Sequence, residues 1–133
     1  MPSSGWELIR LFLHITAATI WVGGQLVLAA LVPSLRGISP QAPAIAARAF
    51  ARIAWPAFAV LIVTGAWNAW AVRDDLHDSY AVLFVSKLVV VALSGLTAWL
   101  HARATTPAAR GGFGAATAAF ALSAVLLGVR LTL

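Results

Sequence analysis

The sequence predicts an all-α integral membrane protein, a four-helix bundle that occupies residues 1–133 as a single domain. The first observation is composition: 62% of the 133 residues are hydrophobic and 10% are charged, too few for the polar exterior of a soluble domain. The second is that the apolar residues fall into four stretches long enough to cross a bilayer. The third is that most prolines and most charges lie outside these stretches. The predicted spans are 8–32, 53–72, 80–100 and 113–133.

The first span has the clearest boundaries. Ser4 followed by Glu7 has the spacing of a capping box, so we expect a helix to begin just after Ser4. At about 1.5 Å per residue, the apolar run from Leu11 to Val32 covers the hydrocarbon core of roughly 30 Å. A cleavable signal peptide is the weaker interpretation, because this run exceeds the usual length of about 7 to 15 residues.

A polar stripe runs along this first helix. His14, Trp21 and Gln25 are separated by seven and four residues, which places them on one side of a regular α-helix. An ionisable group inside a membrane span usually faces protein or water and not lipid. We therefore expect the stripe to face inward and His14 to belong to a functional site.

The connections are predicted from their composition. Residues 33–52 contain three prolines and three arginines, which predicts a basic loop with a short amphipathic helix near 44–50. Pro56 would fall in the first turn of the second helix, where proline is tolerated. Residues 73–79 are short and polar and predict a tight turn, and the pair Gly111-Gly112 predicts a loop before the fourth helix.

The distribution of basic residues predicts the orientation. Short cytoplasmic loops are enriched in Lys and Arg. The predicted first and third loops hold Arg36, Arg48, Arg52, Arg103 and Arg110, whereas the opposite side holds Arg10, Arg73 and Arg130. Both termini are therefore predicted on the outer, periplasmic side.

This topology predicts a polar layer near the outer surface. Each span contributes one polar side chain to it, namely His14, Asn68, Lys87 and Arg130. Together with Trp21, these residues form the predicted ligand-binding set. Placing these groups separately against lipid would cost several kcal/mol. We therefore expect His14 and Lys87 to share a water-accessible cavity. Arg130 also fits an interfacial anchor, and Lys87 could instead extend to the outer surface.

Helix packing is predicted from two further repeats. Lys87, Ser94 and His101 recur every seven residues and form a polar stripe on the third helix. Ala115, Ala119 and Ser123 form a ridge of small residues on the fourth helix, which predicts close packing there.

Several function classes lack the residues they need. The chain has no cysteine, and its only methionine is the initiator, so soft sulfur ligands for a metal are absent. The basic residues are dispersed and form no nucleic-acid-binding face. The sequence contains no nucleophile-base-acid arrangement and no phosphate-binding loop, so no catalytic residue is assigned. His101 is interpreted as interfacial, and His77, in an acidic turn, as part of a solvated loop.

Three segments resemble a known family. Three segments are similar, in order, to those of the copper resistance protein D (CopD) membrane domain. They are LFLHITAATIWVGGQLVLAAL, RAFARIAWPAFAVLIVTGAWNAW with its Thr-Gly pair, and VLFVSKLVVVAL with its single lysine. The resemblance covers three of the four spans. HemJ-type protoporphyrinogen oxidases also pair a first-helix histidine with a later lysine segment, so both families remain open.

The CopD resemblance implies a multi-pass protein of the bacterial inner membrane that handles or transports copper, with His14 as a metal ligand. The HemJ resemblance implies instead a haem b-dependent membrane oxidoreductase. A protonated Lys87 beside His14 would repel a copper ion, so either burial keeps Lys87 neutral or the layer accepts an anionic group. A third hypothesis is a structural subunit. Besides the lipid bilayer, a second copy of the chain or another membrane or periplasmic protein remains open as a partner, and no nucleic acid is expected.

Overall fold

The protein is built from four long helices. The computed structural model describes residues 4–75 and 77–133, which are helical apart from short connections. Four helices are long and apolar enough to cross a membrane, namely α1 (Gly5–Ile38), α2 (Ala42–Val72), α3 (Asp78–Arg103) and α4 (Pro107–Thr132). The prediction of an all-α protein with four apolar helices is confirmed. Such a chain is a multi-pass membrane protein whose helices are surrounded by lipid.

Helix α1 contains a π-helical turn. Its Ser4 N-cap accepts a hydrogen bond from the Glu7 backbone N–H at 3.3 Å, as the capping box predicts. The α-helical geometry changes to a π-helix over Thr19–Gly23 and resumes at Gly24. A π turn adds a residue to the helix and is frequent at functional sites. The regular spacing that places Gln25 on the stripe of His14 therefore does not hold across this turn.

The predicted basic loop over residues 33–52 is wrong. Helix α1 continues through Pro33 to Ile38, and α2 already begins at Ala42. Pro33 removes one backbone hydrogen bond from α1, which the adjoining turns tolerate. The connection is short because the Ser39 side chain accepts a hydrogen bond from the Ala42 N–H at 3.0 Å. Pro56 lies inside α2 and not in its first turn.

The fourth helix also begins earlier than predicted. Thr106 caps it by accepting from the Ala109 N–H at 3.1 Å, and Pro107 follows in the position where proline suits a helix start. The glycine pair predicted as a loop lies inside this helix, because the Thr106 cap and Pro107 begin the helix before it. The predicted turn 73–79 includes Leu76, which lies outside the described residues; its first part, Arg73–Asp75, is a 3₁₀-helix.

The helices form two compact units, the first ending at Asp74 and the second beginning at Asp75. In the first unit α1 and α2 are antiparallel, since His14 contacts Thr64 and Gly24 lies against Phe50. Small buried side chains allow the close approach: Ala17, Ala54 and Ala57. A Cβ atom at Gly24 would lie 2.6 Å from Phe50 Cζ, so only glycine fits beside that ring.

The second unit is the antiparallel pair of α3 and α4. The predicted seven-residue stripe of α3 faces α4: Lys87 lies beside Gly128, buried Ser94 donates to the Thr117 carbonyl at 3.3 Å, and His101 lies beside Gly114. Fourteen residues separate the two outer contacts on each helix, which is the seven-residue repeat of left-handed packing.

The small-residue ridge predicted on α4 does not form this contact. Ala115 and Ala119 are exposed, whereas Thr117 and Ala121 are buried against α3. The reason is the side-chain direction on the helix: positions 114, 117, 121 and 128 follow the alternating three- and four-residue spacing of a packing seam, and the predicted ridge lies beside it. Hydroxyl groups reinforce this seam, because Thr117 bonds Thr97 at 2.9 Å.

We expect Gly128→Leu to displace the Lys87 amine. Lys87 Nζ lies 3.1 Å from the position of a Cβ at Gly128, so a larger side chain must push it away at a cost of about 1–3 kcal/mol in unfolding free energy. Lys87 is the chain's one lysine. Its labelling by an amine-reactive reagent, measured by mass spectrometry, should rise several-fold. Gly112→Leu is the control, since nothing lies within 4 Å of a Cβ there; equal labelling in both variants would contradict the packing.

Candidate functional site

The site begins with a hydrogen bond between the two helices of the first unit. His14 Nδ1 lies 2.8 Å from Thr64 Oγ1, and Thr64 Oγ1 lies 2.6 Å from the Val60 carbonyl oxygen. The carbonyl can only accept, so the one hydroxyl hydrogen of Thr64 is donated to Val60. His14 Nδ1 must then carry the hydrogen that Thr64 accepts. In the neutral ring this leaves the lone pair on Nε2, the nitrogen that can bind a metal ion.

The backbone beside the ring is glycine. A Cβ at Gly65 would lie 3.9 Å from His14 Cε1, so the Thr-Gly pair of α2 supplies both the hydrogen bond and the surface on which the imidazole rests. The ring is half-buried. Its orientation is therefore set by α2 and not by the helix that carries it.

One turn from this bond, toward the end where α1 begins and α2 ends, lies a second polar level. Arg10 precedes His14 by four residues and Asn68 follows Thr64 by four, so the antiparallel register places Arg10 and Asn68 at the same height. Arg10 Nε and Asn68 Oδ1 are both buried and have no hydrogen-bond partner among the residues that the structure describes. A cationic donor and an amide acceptor thus lie next to His14.

Trp21 lies on the same side of α1 as His14 but in an aromatic cluster. Its ring centroid is 4.5 Å from Phe58 and 5.4 Å from Trp55, and the side chain is 4% exposed. Edge and tilted arrangements at these distances stabilise helix packing. This cluster explains the burial of Trp21, and a ligand contact for it stays a prediction.

The second unit holds the other two residues of the predicted set. Lys87 is half-buried against α4, where Gly128 leaves room for its amine. Arg130 is exposed and, two positions beyond Gly128, lies about 200° around the helix from the seam. Within this unit the two cations are therefore not brought together. The predicted cavity shared by His14 and Lys87 stays a prediction.

The remaining histidines have other surroundings. His101 donates from Nδ1 to the Arg110 carbonyl at 2.7 Å and so fastens the end of α3 to the start of α4. His77 is exposed beside the N-terminus of α3. Among the side chains that the structure describes, no three His, Cys, Asp or Glu residues come together as a metal site. Any metal ion at His14 would therefore need oxygen ligands or ligands from outside the chain.

Sequence reasoning missed Arg10 and the role of Thr64. From the sequence, Arg10 contributes only to the predicted orientation, and Thr64 only to the Thr-Gly pair of the family resemblance. The signal was present as two four-residue spacings, Arg10 to His14 and Thr64 to Asn68, each placing two polar groups on one face of an apolar helix.

Comparison with known proteins supports the family assignment made from the motifs. The model of the family described as copper resistance protein D matches residues 44–132, which covers α2, α3 and α4 and includes Thr64, Asn68 and Lys87. His14 lies before the matched residues. No curated protein and no solved structure matched the chain. Because the match extends over more than half of the sequence, the chain belongs to the copper resistance protein D family.

Proposed function

We propose that this protein handles copper in the bacterial inner membrane and that His14 is a ligand through which the ion passes. The observation that carries the proposal is the hydrogen bond from His14 Nδ1 to Thr64. Histidines that bind metals commonly donate their other ring N–H to a fixed acceptor, which orients the ring and sets the tautomer. Here that acceptor is itself fixed by the Val60 carbonyl.

The donor set suits transfer more than storage. Imidazole is a good copper ligand, and Asn68 offers an amide oxygen one turn away, but the chain lacks the cysteine and internal methionine that hold Cu(I) tightly. The Arg10 guanidinium nearby also disfavours a cation. Copper bound at His14 would therefore be held weakly and exchanged easily, as expected for cargo that moves to another site or to a partner protein on the predicted periplasmic side.

Replacing Thr64 tests this proposal most sharply. Thr64→Val keeps the side-chain shape but removes the acceptor for His14 Nδ1–H, so we expect copper affinity to fall about 10- to 100-fold, the usual effect of losing such an orienting group. The measurement is competitive copper titration of the purified protein in detergent. Thr64→Ser, which keeps the hydroxyl, should bind nearly as wild type does. If Thr64→Val binds copper as tightly as Thr64→Ser, the orienting role is wrong.

A haem-associated oxidoreductase is the second candidate. One observation favours it: His14 could hold the iron of haem b through Nε2, and Arg10, four residues away, could pair with a propionate. Bound haem would supply one-electron chemistry, while His14 and Arg10 would only hold and orient it. Expression with haem supply followed by an absorbance spectrum tests the haem candidate. A Soret band that is lost in His14→Ala supports haem, and a wild-type protein without a Soret band argues against it.

A further inference from the structure

The two unpartnered atoms in the first unit are complementary in chemistry. Arg10 Nε carries a hydrogen and a share of a positive charge, so it needs an acceptor; Asn68 Oδ1 is an acceptor and needs a donor. Groups of this kind are costly to bury unless something bonds them. A ligand that satisfies both must offer an oxyanion and a hydroxyl or N–H donor together. A carboxylate alone would satisfy only Arg10.

The other charged groups nearby do not replace such a ligand. Glu7 is half-buried one turn before Arg10, but the ion pair found among the described residues lies elsewhere, between Arg73 and Asp74 at 3.8 Å. Arg73 also donates to the Trp70 carbonyl at 2.8 Å and stacks on the Trp70 ring at 4.4 Å. At this end of the unit Arg73 is thus engaged, whereas the buried nitrogen of Arg10 has no bond within the described residues.

The position of the pair indicates where the ligand comes from. The apolar run of α1 begins at Leu11, directly after Arg10. Trp6, Trp67 and Trp70 lie at the same end of the unit and are 70%, 38% and 68% exposed. Exposed tryptophans of membrane helices concentrate at the headgroup level. Arg10 and Asn68 therefore lie where the phosphates of lipids are found.

We propose that Arg10 and Asn68 bind a phosphate group that carries a neighbouring hydroxyl, such as the headgroup of phosphatidylglycerol. The phosphate oxygens accept from the Arg10 guanidinium, and the hydroxyl donates to Asn68 Oδ1. Both protein atoms are covered by the chain, so the ligand enters as the long Arg10 side chain rotates outward. The site lies one turn from His14, and phosphate binding there requires no copper.

The experiment measures thermal unfolding and bound lipid by native mass spectrometry, with the purified full chain in neutral detergent and a chelator to remove copper. Short-chain phosphatidylglycerol should raise the unfolding midpoint and be retained, whereas short-chain phosphatidylcholine should do neither. Inorganic phosphate and glycerol phosphate form the second arm. If they produce the same shift, the source is a soluble phosphate and not a lipid, and the site itself is supported.

Variants locate the effect. Asn68→Asp keeps the size of the side chain and gives Arg10 an internal carboxylate, so we expect a folded protein that has lost the phosphatidylglycerol shift. Arg10→Gln should lose the shift as well. Arg73→Gln removes the same charge from the same end of the unit and should keep it. If phosphatidylglycerol and phosphatidylcholine act alike, or if Asn68→Asp responds as wild type does, Arg10 and Asn68 do not bind the headgroup and the proposal is overturned.

Discussion

His14→Ala should remove copper binding more completely than any other single substitution in the protein. In the proposed copper site the imidazole binds the ion directly, so its loss should exceed the roughly 10- to 100-fold effect expected for a residue that only orients it. The fold should survive, because the Thr64 hydroxyl keeps its bond to the Val60 carbonyl. The loss of the hydrogen bond to Thr64 costs about 1 kcal/mol.

Copper titration and thermal unfolding of the same preparations check this result. The matched control is His101→Ala: that side chain is exposed in the second unit and bonds the Arg110 carbonyl, so copper binding should persist. A His14→Ala protein that binds copper with wild-type affinity would remove His14 from the mechanism and leave only the family membership in place.

Gly24→Leu should destabilise the first unit strongly. A Cβ at this position would already overlap the Phe50 ring, and the remaining side-chain atoms must either displace the ring or push the helices apart. Overpacking of this kind costs about 1–3 kcal/mol of unfolding free energy, a large fraction of the stability of a small protein. The measurement is reversible unfolding in mixed micelles, followed by circular dichroism.

The neighbouring glycine provides the control. Nothing lies within 4 Å of a Cβ at Gly23, so Gly23→Leu should be neutral or should gain up to about 1 kcal/mol from its higher helix propensity. The double variant Gly24→Leu/Phe50→Ala should recover part of the loss, since the added side chain occupies the space of the ring. Equal unfolding free energies for the two single leucine variants would show that Phe50 moves away without cost.

In the two proposals, copper and a lipid phosphate bind the first unit at adjacent heights along its helices. His14 bonds α2 through Thr64, and Arg10 and Asn68 lie one turn nearer the end of the unit. The π-helical turn follows on the other side of His14, at Thr19–Gly23. A histidine held between a cationic level and an irregular turn differs from a simple packing residue, which is why His14 is the residue to test first.

The sequence by itself determined the features that depend on composition and local spacing. The four helices follow from the length of the apolar runs. The Ser4 cap follows from Glu7 three positions later, and the face of α3 that packs on α4 follows from a seven-residue repeat. These signals are local, because bilayer thickness and helical periodicity act on consecutive residues of one segment. The family could be recognised for the same reason, since its motifs lie within single helices.

Only the tertiary structure decided which side chains meet. The tautomer of His14 depends on Thr64, fifty residues away, and the register that places Arg10 at the height of Asn68 depends on how α1 and α2 pack. The helix ends were misjudged where proline and glycine occur, because a cap such as Thr106 can begin a helix before a glycine pair. The predicted small-residue ridge of α4 was wrong because two neighbouring rows of small residues look equivalent in the sequence. Only packing against the partner helix selects one of them.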